Sequence, residues 1–126
     1  MARALALFFG IVYTIVGIAG FVPGIGGTAG IEPHPLLGIA EINLAHNVIH
    51  LAIGLWGLWA ASDIARATGY CQIVGIVLLA IGLLGFFVPS GFGLIPLGGN
   101  DPWLHIISGV LLAFGGFAAA GAAGEA

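Results

Sequence analysis

Apolar residues gather into four long runs in this chain, roughly Ala4–Val22, Ile42–Ala61, Tyr70–Val88 and Trp103–Gly121. Each is close to the ~20 residues that carry a helix across a bilayer core. Open strands would leave backbone groups without partners in lipid, so each run is predicted to be a helix. Short connections set an up-down-up-down order. The stretch from Pro23 to Ala40 is the longest nonhelical one and is expected to fold back over the bundle. The tail Ala118–Gly124 is expected to fray where it leaves the membrane.

The runs are not independent of one another. Gly10, Gly17, Gly20 and Phe21 recur as Gly75, Gly82, Gly85 and Phe86, displaced by 65 positions. Displaced by 55, His50 falls on His105 and Gly54 on Gly109. The repeating unit is therefore a helical hairpin, about 4–61 and again about 70–121. Two helices per unit insert both copies in the same direction. The predicted architecture is all-α: a single transmembrane domain over 1–126, a four-helix bundle of two tandem hairpins in a parallel pseudo-two-fold repeat. The repeat also bears on the first run, which has the outline of a secretory leader, with Arg3 ahead of it and Thr28-Ala29-Gly30 behind. A cleaved leader has no reason to duplicate a later helix, so the run is read as retained. Glycines on shared faces (Gly10, Gly17, Gly54, Gly75, Gly82, Gly109, Gly116) mark where helices approach closely.

Composition makes the membrane reading firm. The chain is 60% hydrophobic and 6% charged, with mean hydropathy +1.20. A soluble domain needs about 25% charged residues to cover its surface. Arg3 and Arg66 are the only basic residues against five acids, which excludes a nucleic-acid surface. Both arginines fall on the side of the N-terminus and the middle connection, so the positive-inside bias puts both termini in the cytoplasm of a multi-pass cell-membrane protein. Trp56, Trp59 and Tyr70 are expected at the inner interface and Trp103 at the outer one. Asp63 and Arg66, three apart, are expected to pair. Cys71, the single cysteine, is read as an apolar packing residue.

Polar chemistry is concentrated in Asn43-Leu44-Ala45-His46-Asn47-Val48-Ile49-His50, with a sparer copy in Asn100-Asp101-Pro102-Trp103-Leu104-His105. Histidines four apart lie one above the other on a helix face. An ionisable residue below the headgroups seldom faces lipid. Asn43, His46, Asn47, His50 and His105 form either a structural cluster of hydrogen bonds between helices or a binding site. In the second case His46, His50 and His105 ligate a metal ion, with Glu41 or Asp101 completing the shell. Alternatively, His50 and His105 hold a haem or chlorophyll-type pigment across the bundle axis, or the imidazoles relay protons. His34, between two prolines, is read as a solvated loop residue. No glutamate adjoins the first histidine as in zinc proteases, and Ser62, Ser90 and Ser108 lack triad partners.

The two histidine motifs and the opening Phe9-Gly10-Ile11-Val12-Tyr13 together resemble a bacterial membrane family catalogued as domain-of-unknown-function family 4383. The resemblance covers almost the whole chain. It implies four membrane spans and brings no catalytic residues with it. Pro102 stands where the family pattern has an asparagine, a departure that touches no assigned chemistry. The leading expectation is a non-enzymatic accessory or scaffolding subunit, without a cofactor, that packs through its glycine faces against another membrane protein or a second copy. A metal-, haem- or pigment-binding protein is the alternative, and a small transporter or channel the third.

Overall fold

The computed structural model of the protein describes residues 1–124. Four helices run α1 Ala2–Ala19, α2 Leu44–Ala60, α3 Ile64–Phe87 and α4 Asp101–Gly124. Of these α1, α3 and α4 are long and apolar enough to cross a membrane, while α2, at 17 residues, is a shorter apolar helix. At ~1.5 Å per residue α2 reaches about 26 Å.

Helix α3 starts six residues ahead of its apolar run because Asp63 caps it. The Asp63 carboxylate accepts the Arg66 N–H at 3.0 Å, which satisfies one of the free donors of the first turn. That bond, together with the nearby guanidinium, holds the Asp63 carboxyl below its ordinary value. The cap's contribution is thus present above the unfolded value of about 3.9 and fades as pH falls through the lower folded one. The expected Asp63–Arg66 pair is therefore made to the backbone. The guanidinium instead donates to Ser62 Oγ at 3.2 Å and lies 4.7 Å over the Trp59 ring. Helix α4 runs through Gly124 instead of fraying from Ala118. Alanine is the strongest helix former, and Ala119 packs against the core.

Helix α1 packs mainly on α2, and α3 on α4. Both seams are lined by the glycines singled out above. A methyl group on Gly10 would come within 2.7 Å of the Leu58 nitrogen, and one on Gly17 within 2.8 Å of the Leu51 nitrogen. In the second seam, a methyl on Gly109 would meet the Leu79 nitrogen at 2.8 Å, and one on Gly116 the Gln72 nitrogen at 2.7 Å. Gly75 lies as tightly against Ala113, and Gly82 against Ile106. Backbones this close gain dispersion along the whole seam. The glycine faces are thereby filled within the chain.

A core of Phe9, Tyr13, Tyr70, Cys71, Val74, Leu78 and Leu112 joins the two hairpins. Tyr70 lies here, 1% exposed, so its ring faces the bundle interior. The early start of α3 puts it on the inward face, where Gly57 leaves room for its hydroxyl. Trp56 meets its ring edge-on at 5.3 Å. Trp59 and Trp103 are exposed, as interfacial anchors would be. Cys71 is buried, its thiol 3.5 Å from the Ala2 carbonyl. At the same end Arg3 Nε donates to the Ala61 carbonyl at 2.8 Å, tying the N-terminus to the α2–α3 turn.

The opposite end is closed by the two longer connections. The first does fold back: β1 His34–Leu36 pairs antiparallel with β2 Ala40–Ile42 through a turn at Leu37 and Gly38, both at positive φ. This small sheet belongs to the connection, outside the helices. Asn100 Nδ2 bonds the Ile39 carbonyl at 3.0 Å, and Asn43 Nδ2 bonds the Leu94 carbonyl at 2.9 Å, so the two connections hold each other.

Candidate metal centre

The site is built from the first turns of α2 and α4. Asn43, in extended conformation, caps α2 by accepting the His46 N–H at 3.0 Å. That bond fixes where the helix starts, and with it the direction of His46 and, one turn on, His50. On α4, Asp101 and His105 stand one turn apart in the same way. The two helices bring the histidines together. Ring centroids are 4.4 Å apart for His46–His50, 5.9 Å for the stacked His46–His105 pair and 6.2 Å for His50–His105. One ligating nitrogen from each ring lies within 4.8 Å of the others.

All three rings are buried, at 2%, 7% and 6% exposure, and so is Asp101 at 3%. The Asp101 carboxylate lies between two of them, 3.1 Å from His105 Nδ1 and 3.8 Å from His46 Nε2. The shorter contact is not aligned as a hydrogen bond. His46 Nδ1 and both nitrogens of His50 have no partner. Each such buried polar atom costs about 1–3 kcal/mol unless something satisfies it. Three buried imidazoles from two helices, one nitrogen of each within 4.8 Å of the others, are chemically a ligand set for an ion that takes imidazole.

Not every candidate comes to this point. Glu41 is exposed on β2, opposite Pro35, and lines an outer cleft of ≈ 750 Å³ together with Glu32. The strand pairing turns its carboxylate away from the histidines, so Asp101 is the carboxylate of the site. His34 is exposed on β1. Asn43 is the helix cap. Asn47, one turn beyond it and fully buried, donates from Nδ2 to the Gly20 carbonyl at 2.6 Å and the Thr28 carbonyl at 2.9 Å. Both asparagines serve the fold. Beside the rings lies a chamber of ≈ 240 Å³ whose walls include Ile53, Leu78 and Leu84. No sequence signal marks these aliphatic residues off from any other apolar position in a span.

No curated protein and no solved structure matches the chain. Residues 3–118 match the domain of unknown function 4383. With four apolar helices and nearly its whole length covered by that match, the chain belongs to the DUF4383 family.

Proposed function

We propose that this is a multi-pass membrane protein, a bundle of two tandem helical hairpins, that binds one transition-metal ion through His46, His50 and His105. The observation that carries the reading is the convergence of three buried imidazoles whose ligating nitrogens lie within 4.8 Å of one another. A tetrahedral site with metal–nitrogen bonds of ~2.0–2.1 Å sets its nitrogens about 3.3 Å apart. Small ring rotations bridge that difference. Asp101 supports His105 from the outer side, the arrangement by which a carboxylate orients a ligating imidazole. The chamber beside the rings, ≈ 240 Å³, falls short of the about 300–1,000 Å³ typical of ligand pockets. That favours an ion over a haem or pigment macrocycle.

The reading is one of binding: Glu41 lines the outer cleft, and the Asp101 carboxylate stands against His105 and His46. An accessory subunit docking through glycine faces would find those faces filled by the internal seams. A membrane partner or second copy would meet larger side chains such as Ile73, Phe86 and Phe117, all exposed. Arg3, Asp63 and Arg66 share one end of the bundle, which supports cytoplasmic termini by the positive-inside bias.

Metal analysis tests the reading directly. Protein purified in detergent and equilibrated with Zn²⁺ is expected to retain one ion per chain, and the His46→Ala/His50→Ala/His105→Ala variant none. At free Zn²⁺ one hundred times Kd the ion stabilises the fold by about 2.7 kcal/mol. The melting temperature should therefore rise with Zn²⁺ only in the wild type. A folded wild type that retains no Zn²⁺ and melts unchanged would sink the proposal.

A further inference from the structure

The chamber next to the histidines is open toward the outside of the bundle, and its chemistry is one-sided. Its walls are Ile49 and Ile53 from α2, Leu78, Ile81 and Leu84 from α3, and the connection at Leu94. Helices α2 and α3 touch only sparsely. Ile49 and Leu94, at its rim, are exposed at 38% and 71%. The chamber therefore reaches the apolar exterior along the α2–α3 seam. Its polar lining is the three imidazoles, and His50, 93% buried by its 7% exposure, has neither nitrogen partnered.

Charge and coordination define what fits. A dication held by three neutral imidazoles beside the Asp101 carboxylate keeps one net positive charge in an apolar surrounding, which is costly. Three nitrogens also leave a fourth tetrahedral position free. An anionic oxygen donor meets both needs at once, because two positive charges against two carboxylates sum to zero. Walls that are aliphatic apart from Phe92, itself 71% exposed at the rim, suit an alkyl chain behind that donor. We propose that the chamber takes the carboxylate head of a single-chain fatty acid from the bilayer as fourth ligand of the metal, its chain leaving through the α2–α3 seam. The inference rests on the metal reading above.

Cobalt makes the fourth ligand visible, since the Co²⁺ absorption changes with coordination. Adding decanoate to Co²⁺-loaded protein in detergent is expected to shift the visible spectrum and saturate. Decanol, with the same chain and no charge, should leave it in place. Acetate should bind far more weakly, as each buried CH₂ contributes about fourfold in affinity. Ile53→Trp fills the chamber and should weaken decanoate at least tenfold, with both proteins read at full Co²⁺ occupancy. Leu84→Trp makes the same test from the α3 wall should the first variant fold poorly. A Co²⁺ spectrum unmoved by decanoate, moved equally by acetate, or insensitive to the tryptophans overturns this inference and leaves the metal site standing. A chain that takes up no Co²⁺ overturns both.

Discussion

Gly54→Val is expected to lower the melting temperature sharply, while Gly69→Ala raises it slightly. Both glycines lie inside helices, so intrinsic propensity alone predicts a gain of up to about 1 kcal/mol from alanine at either. Packing separates them. A side chain at Gly54 meets the backbone nitrogen and hydroxyl of Thr14, and its first carbon lies 2.9 Å from the Thr14 Cα. Backbone atoms of α1 cannot move aside as a flexible side chain would, so α1 and α2 must separate. Overpacking of this kind costs about 1–3 kcal/mol, and occasionally more. At Gly69 a methyl group meets nothing within 4 Å. Thermal unfolding followed by far-ultraviolet circular dichroism in detergent checks both signs. Similar small changes for the two variants would mean that the α1–α2 seam is looser than described. Gly54 also lies one turn from His50, so widening the seam moves that imidazole. Zn²⁺ retention should fall in Gly54→Val and stay at the wild-type level in Gly69→Ala.

Four helices were legible because a bilayer-length apolar run has few other stable forms. Their ends were less so. Asp63 is a polar residue three positions ahead of an arginine, and only its capping geometry shows that α3 begins there instead of at Tyr70. The glycine faces were expected to meet another membrane protein or a second copy, and their neighbour is the adjacent helix of the same chain. For the site, the spacing of His46 and His50 placed both on one face of α2, and the displacement linking His50 to His105 pointed to a third ring. The structure brings the three rings to one point. Glu41 and Asp101 were indistinguishable as candidate carboxylates, because what separates them is a strand pairing between His34–Leu36 and Ala40–Ile42. A strand of three residues with a central proline carries no sequence signal of its own. The partners of Asn43 and Asn47 are backbone carbonyls of connections, and no side-chain pattern reveals those.

Asn47 is the polar residue whose loss should cost the fold most without touching the histidine nitrogens. Its amide is fully buried and donates to the carbonyls of Gly20 and Thr28. The Gly20 carbonyl keeps a second donor, the Thr28 N–H at 2.7 Å. Replacing Asn47 by leucine, which has the same branched side-chain skeleton, therefore removes two hydrogen bonds and strips the Thr28 carbonyl of its amide donor. At about 1–3 kcal/mol for an unsatisfied buried acceptor, plus the lost bonds, the expected destabilisation is about 2–4 kcal/mol. Asn47→Asp should be worse, because a carboxylate would face two carbonyl oxygens where donors stood. Zn²⁺ affinity of the folded Asn47→Leu protein is expected to change less than about tenfold, whereas His50→Ala should lose more than about a hundredfold, beyond the range of outer-shell substitutions. The partner residue gives a further check. A methyl on Gly20 would overlap the Asn47 side chain, so Gly20→Ala should be costly in the wild type and much less so in Asn47→Ala. Coupling of about 0.5–3 kcal/mol is expected for residues in such contact. Additive effects in that cycle would show that Asn47 does not hold the Gly20–Thr28 turn. Weakened Zn²⁺ binding at unchanged stability would place Asn47 in the site instead of beneath it.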